Sequence, residues 1–336
     1  MMNGRVSILL LLLLLQEGAA AAEPDDYSPT QCDPTKVLGH ETCTKCHEAE
    51  QQQWMLTPHY RTFDALHRTP EAKAIADRLG LRSIKRNDTC VKCHYTEQSD
   101  GNRVRVISGV SCESCHGGAR DWVNLHADYG GPATTRATES PEHHELRLAE
   151  SIAAGMNNPA NMYLIARQCL DCHTAPEEKL VNVGGHTAGS PDFELVAWSQ
   201  GIVRHNFVRS DGKSNALSTP ERLRVMYIVG ALADLEYSLR ATAKATEVST
   251  YGQASASRAA AAKRRLWEIQ QRLSDDRIAR ALDAVATLEL TLGNSNAILA
   301  AADEIGKAAY ELAETADGTN LGAIDDLVPK PRDFKN

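Results

Sequence analysis

The sequence predicts a mainly α protein in which a loop-rich N-terminal half precedes an antiparallel bundle of helices. The chain has 336 residues, which is long enough for two domains. Residues 220–317 are rich in Ala, Leu, Arg and Glu, contain no Cys or His, and repeat apolar residues at helical spacing. In the first half, glycine pairs interrupt short helical patches, and residues 103–107 alternate briefly as a strand would.

The predicted bundle is defined by the starts of its helices. Pro220 suits a first helical position after Thr219 as N-cap, although Ser218 and Glu221 could instead form a capping box. Three further helices are predicted. The first spans residues 253–273, the second starts at Ser274, and the third spans residues 296–315. Their apolar stripes predict the core of a bundle, with an oligomer interface as the alternative.

The N-terminus predicts export. Arg5 precedes an apolar run over residues 7–15, and a series of small residues ends at Ala22. The run is too short to span a bilayer, which takes about 20 residues. We therefore expect a signal peptide over residues 1–22, cleaved near Ala22, and a periplasmic or secreted protein without a transmembrane segment in its mature chain. An uncleaved membrane anchor is the alternative.

Eight of the nine cysteines form four copies of the pattern C-x-x-C-H. A disulfide framework gives no reason for a histidine after every second cysteine, and Cys₄ zinc sites would leave that histidine idle. A thioredoxin-like motif needs one C-x-x-C in a βαβ unit. The four copies are Cys43, Cys46 and His47; Cys90, Cys93 and His94; Cys112, Cys115 and His116; and Cys169, Cys172 and His173.

Covalent haem attachment uses every residue of this pattern. The two cysteines bind the two vinyl groups of one haem as thioethers, and the adjacent histidine becomes the proximal iron ligand. The sequence therefore predicts four covalently bound haem c groups. Their porphyrins would also supply apolar surface to a chain with only 5% aromatic residues. Cys32 is left over, as a partly buried or mobile thiol or as an intermolecular bridge.

The second axial ligand decides what each haem can do. Two histidines occupy both axial positions of the iron and suit electron transfer, whereas a single histidine leaves one axial position open to a small molecule. The eight histidines outside the motifs exceed the four that full ligation requires. They are His40, His59, His67, His126, His143, His144, His186 and His205.

Two stretches of the chain resemble the tetrahaem cytochrome c-554 family of ammonia-oxidising bacteria. One is the run over residues 109–120 with His126 after it, and the other is Trp54 followed by His59. The resemblance covers about residues 40–175 and implies a multihaem cytochrome c domain with three bis-histidine haems and a five-coordinate second haem. By this resemblance, His126 would bind the first haem and His59 the third.

The chain departs from the family's shorter members downstream of the fourth motif. His186 and His205 are additional histidines there, and one of them could bind the second haem. His143 or His144, or alternatively His186, could bind the fourth. The predicted sections are a signal peptide over residues 1–22, a tetrahaem cytochrome c domain over 23–215, a helical bundle over 216–320 and a flexible tail over 321–336.

Two functional classes remain open from the sequence. The favoured one is an electron carrier. The other is a reductase of nitric oxide, hydroxylamine or nitrite at an open second or fourth haem. The candidates to stabilise negative charge there are Arg82, Arg86, Arg204 and His205. The net charge of −8 argues against nucleic acid as a partner. It favours redox partner proteins with basic surfaces, and the bundle could form a homo-oligomer.

Overall fold

The computed structural model describes residues 32–336 and confirms the predicted mainly α fold. The predicted signal peptide lies outside the described residues. Within residues 32–336, no helix combines the length and the apolar character that crossing a membrane requires.

The N-terminal half consists of short helices joined by loops, with one β-hairpin. Three of the C-x-x-C-H motifs close a helix, so each cysteine pair spans about one helical turn and the motif histidine ends the helix. The hairpin pairs β1 (Thr96–Ser99) with β2 (Val104–Ser108) in antiparallel fashion. The helices are α1 (His40–Thr44), α2 (Glu48–Trp54), α3 (Pro58–Ala65), α4 (Pro70–Arg78), α5 (Asp88–His94), α6 (Cys112–His116), α7 (Pro141–Ala153), α8 (Met162–His173), α9 (Glu178–Asn182) and α10 (Leu195–Ser199).

The C-terminal half is a bundle organised around one central helix. Its four helices are α11 (Pro220–Ala243), α12 (Thr250–Leu273), α13 (Asp276–Ala284) and α14 (Ser295–Thr315). Residues 225–239 of α11 are buried on every side, because α8, α12 and α14 all pack against this helix. A helix that is enclosed in this way needs no polar face, which explains its weak amphipathic pattern.

Helix starts follow local sequence chemistry closely. Thr219 caps α11 by accepting a hydrogen bond from the Arg222 amide, with Pro220 at the first helical position, so the predicted start is confirmed. The third bundle helix begins later than predicted: Ser274 is left-handed (φ 52°) and ends α12, and Asp275 caps α13. Asp275 accepts from two amides of the first turn, which suits an acid at a helix N-terminus.

One hydrophobic core runs across the predicted domain boundary at residue 215. Tyr163 and Leu170 of α8 belong to the same buried cluster as Ile228 and Leu232 of α11. Gly230 of α11 allows the close approach of α10, since a Cβ at this position would lie 2.7 Å from the Leu195 Cβ. The bundle is therefore packed directly onto the helix that carries the fourth motif.

The structure differs from the predicted flexible tail over residues 321–336. Ile324 is fully buried in the shared core. Further along, the Ile202 amide donates to the Lys335 carbonyl (2.7 Å), and the Lys335 amide donates to the Ala197 carbonyl (3.0 Å). These backbone bonds attach the C-terminus to the N-terminal half, which the prolines near residue 330 did not indicate.

Candidate haem centres

Each of the four motif histidines faces one histidine from outside the motifs. Since a metal–imidazole bond is about 2 Å long, two rings bonded to opposite sides of one metal have centroids roughly 6 Å apart. All four separations match that value. They are His47 with His126 (6.3 Å), His94 with His186 (6.3 Å), His116 with His205 (6.2 Å) and His59 with His173 (6.4 Å).

The hydrogen bonds of these rings leave Nε2 free to bind a metal. Where Nδ1 donates its proton to an oxygen, the lone pair resides on Nε2, which is the tautomer that binds a metal through Nε2. The five Nδ1 contacts to oxygen are His116 to the Asn157 carbonyl (3.2 Å), His126 to the Val123 carbonyl (2.6 Å), His173 to the Ser190 hydroxyl (2.9 Å), His186 to the Thr187 carbonyl (2.7 Å) and His205 to the Val203 carbonyl (2.7 Å).

Burial keeps the innermost rings neutral. It lowers the pKa of His94 and of His116 to about 4 and that of His173 to about 3, with neighbouring histidines adding to the effect. Burial also lowers the pKa of His59. A neutral imidazole is the form that ligates a metal, so these rings are prepared for ligation across the physiological pH range.

The arrangement differs from the pairing that the family resemblance implied for His59. Its ring faces His173 of the fourth motif, and His205 faces His116 of the third. Thr62, one turn after His59, donates to the His94 carbonyl (2.7 Å), which holds α3 against the second motif. His59 therefore lies among the second and fourth motifs, and the third motif takes a histidine from the downstream segment.

His143 is not brought to a motif histidine, contrary to its prediction as a ligand of the fourth haem. Its Nδ1 lies 2.7 Å from the Glu139 carboxylate, which also contacts His144. Arg147 donates two further bonds to Glu139. A carboxylate four residues before His143 thus captures that ring in a polar cluster at the start of α7.

The four motifs contact one another in the order first, third, fourth, second. The Cys43 thiol lies next to that of Cys112, and the Cys93 thiol lies next to that of Cys172. The third and fourth motifs are joined because α6 packs against α8. Within residues 32–336, no three His, Cys, Asp or Glu side chains gather as the ligands of a bare metal ion would.

Several buried polar atoms beside the histidine pairs have no protein partner in the described chain. They include Tyr95 Oη, next in sequence to His94, and Arg204 Nε, next to His205. Trp122 Nε1 is another, on an indole whose ring is 5.1 Å from that of His126. Buried donors are normally satisfied, so these positions suit a polar group that the protein itself does not supply. Haem propionates have that chemistry, and the residues present fit four haems.

Comparison with protein families gives one match, to the family described as cytochrome c554 and c-prime, over residues 42–117. The cytochrome c554 resemblance is confirmed over this segment. The segment contains the first three C-x-x-C-H motifs and His59. Comparison with curated proteins and with solved structures finds no match. The matched family is one of c-type cytochromes, a class that binds haem covalently and transfers electrons.

Inside the segment that matches the family, Glu113 holds the first and third motifs together. This buried carboxylate, between Cys112 and Cys115, accepts hydrogen bonds from the amides of Leu38 (2.8 Å) and Gly39 (2.8 Å), just before α1. It also accepts from the Ala119 amide (2.9 Å). Sequence reasoning missed this role, although a lone acid inside a haem motif was a visible signal.

A second contact joins the two stretches that carry the family resemblance. The Trp54 indole donates to the Val110 carbonyl (2.8 Å), and the Val110 amide donates to the His59 carbonyl (3.1 Å). The loop that precedes the third motif is therefore bound to both ends of the Trp54–His59 segment. This contact explains why a tryptophan five residues before the histidine belongs to the same pattern.

Proposed function

We propose that this protein is an exported tetrahaem c-type cytochrome that carries electrons between redox partner proteins. The observation that carries the proposal is the uniform spacing of the four histidine pairs, at 6.2–6.4 Å between ring centroids. Each haem, when bound, supplies a reversible one-electron couple. The cysteines of each motif would attach it, and one histidine pair would hold its iron from both sides.

The pair at the second motif is the decisive one for function. In the family, the second haem is five-coordinate, whereas here His186 faces His94 at the same separation as the other pairs. A ligand on both sides excludes substrate from the iron and stabilises a centre that only exchanges electrons. His186 lies in the segment that the family's shorter members lack, so we assign to that segment the closing of the second haem.

The contact order of the motifs supports a continuous conduction path. The first motif contacts the third, the third the fourth, and the fourth the second. A linear series with two ends suits a protein that accepts an electron at one partner and delivers it to another. The protein's own contribution is to hold these four attachment sites against one another.

The charge of the chain indicates the kind of partner. With a net charge of −8, the protein would be attracted to partners with basic surfaces, and that association should weaken as salt rises. The predicted signal peptide would deliver it to the periplasm or outside the cell. A homo-oligomer through the bundle stays a prediction, which size-exclusion chromatography of the full protein tests.

Electron paramagnetic resonance of the oxidised protein tests the proposal directly. Mass spectrometry should first find four haems on a chain that begins near Glu23. We then expect four low-spin ferric haems and no spectral change on addition of cyanide or nitric oxide. A high-spin haem that binds either ligand would contradict the carrier and favour a reductase of nitric oxide, hydroxylamine or nitrite.

A further inference from the structure

One arginine of the C-terminal bundle is hydrogen-bonded to the fourth motif. Arg258 of α12 donates from Nη1 to the carbonyls of Ser190 (2.6 Å) and His173 (3.3 Å). Ser190 in turn holds the proximal ring of the fourth motif, because its hydroxyl contacts His173 Nδ1 at 2.9 Å. The Ser190 amide also donates to the His173 carbonyl (2.8 Å). One guanidinium thus fixes both the backbone and the hydrogen-bond partner of this ligand.

Arg258 is held in a buried ion pair. Its Nε lies 2.6 Å from the Asp234 carboxylate of α11, and the two side chains are 11% and 8% exposed. Its Nη2 is buried without a hydrogen-bond partner in the described chain. Such a buried donor is normally satisfied, so the side chain has capacity for one more acceptor next to His173. A haem propionate has the required charge and oxygen atoms.

We propose that Arg258 is a positioning residue for the fourth haem and sets its reduction potential. The proposal rests on the proposed function, since it requires a haem at Cys169 and Cys172. It gives the bundle, which carries no Cys or His, a role in the redox chemistry of the N-terminal half. The charges of Asp234 and Arg258 would then together set the reduction potential of the fourth haem.

The sign of the effect follows from the charges. Oxidation adds one positive charge to a haem, and a nearby guanidinium in a water-poor site opposes that change. Arg258 therefore favours the reduced haem and raises its potential. Asp234 partly cancels this effect, because its carboxylate favours the oxidised haem. Removing each partner alone should move the potential in opposite directions, which loss of packing would not do.

The test compares Arg258→Gln and Asp234→Asn with the matched control Arg265→Gln. Arg265 lies on the same helix and also contacts Asp234, at 3.7 Å, but has no bond to His173 or Ser190 among the described contacts. The full-length, haem-loaded proteins are titrated spectroelectrochemically in a His59→Ala background. There, the fourth haem should be the one high-spin centre and can be followed alone.

We expect Arg258→Gln to lower the potential of that centre by about 59 mV, which is a tenfold change in a one-electron equilibrium. Asp234→Asn should raise it, and Arg265→Gln should shift it by less than Arg258→Gln does. Equal shifts in Arg258→Gln and Arg265→Gln, or shifts of the same sign in Arg258→Gln and Asp234→Asn, would overturn the proposal. If Arg258→Gln fails to load four haems, the test rests on the potential of the high-spin centre in Asp234→Asn. A potential that falls or does not change in this variant rejects the proposal.

The proposed function fails at an earlier step of the same experiment. A protein with the parent sequence that lacks four haems contradicts the cofactor assignment. A His59→Ala protein without a high-spin haem contradicts the ligand assignment. Neither result depends on Arg258, so the two failures are distinguishable.

Discussion

His186 lies opposite His94, with 6.3 Å between their ring centroids, on a turn that immediately follows α9. Gly184 and Gly185 form this turn, and the His186 amide donates back to the Leu180 carbonyl (3.2 Å). Arg78 at the end of α4 donates from Nε to the Gly184 carbonyl (2.7 Å). The second motif therefore receives its facing histidine through a turn that is bonded to two helices.

Replacing His186 should open the second haem. In His186→Ala we expect one of four low-spin ferric haems to become high-spin, with cyanide or nitric oxide binding to it, because no other ring faces His94 at this separation among the described contacts. His144→Ala is the control, since this exposed histidine contacts Glu139. Electron paramagnetic resonance counts the high-spin haems. A wholly low-spin His186→Ala protein would show that the pair does not hold an iron.

Gly185 should be required for the position of His186. Its φ is +70°, and a Cβ there would lie 2.9 Å from Arg78 Nη2. Gly80 is a matched control, with φ +68° and nothing within 4 Å of its Cβ. Alanine at either position should cost roughly 1–2 kcal/mol of stability through left-handed backbone strain.

Gly185→Ala and Gly80→Ala should differ in the spin state of the second haem. Only Gly185→Ala displaces Arg78 from the turn, so it alone should show a high-spin fraction at the second haem. Denaturant unfolding measures the shared loss of stability, and electron paramagnetic resonance measures the specific effect. The same spin state in both variants would mean that Arg78 and the turn do not position His186.

The sequence predicted those features that depend on neighbouring residues. The four C-x-x-C-H motifs, the Thr219 cap and most bundle helices follow from short-range patterns, and the structure has helices in these places. The partner of each motif histidine depends on packing between distant segments. The family resemblance implied the third motif for His59, and no local pattern shows that Thr62 bonds to the second. For His143 a local signal does exist, because Glu139 lies four residues before it and contacts its ring.

The C-terminal residues 321–336 also depend on contacts between distant segments, which local sequence patterns do not show. Pro329 and Pro331 predicted a loose end, since proline breaks regular structure. The backbone bonds of Lys335 to Ala197 and Ile202 depend on where α10 lies, and that position is set by the close contact of Leu195 with Gly230. Local composition carries no information on such a docking site.

Glu113 should contribute more to stability than any exposed acid. Glu113→Ala leaves the half-buried amide of Leu38 and the buried amides of Gly39 and Ala119 without their acceptor, and an unsatisfied buried group costs about 1–3 kcal/mol. We expect a loss of at least about 3 kcal/mol in the free energy of unfolding. The exposed Glu150→Ala control should change it by less than about 0.5 kcal/mol. Equal effects of the two variants would contradict the bridging role.

The junction between the bundle and the haem half should be sensitive to a single methyl group at Gly230. Two effects compete in Gly230→Ala. Alanine improves helix propensity by about 1 kcal/mol, whereas overpacking a buried contact costs roughly 1–3 kcal/mol. The new Cβ would lie 2.7 Å from the Leu195 Cβ, which cannot rotate away, so we expect crowding to prevail and the melting temperature to fall.

Gly252→Ala provides the comparison for this junction, because Gly252 is also helical but its nearest neighbour would be 3.1 Å from the new Cβ. There the gain in propensity should offset most of the crowding. Trp198 of α10 packs 5.3 Å from the His173 ring, so displacement of α10 by Gly230→Ala should also change the spectrum of the fourth haem. A Gly230→Ala protein that melts no lower than Gly252→Ala, with an unchanged haem spectrum, would show that α10 and α11 do not couple the bundle to the fourth motif.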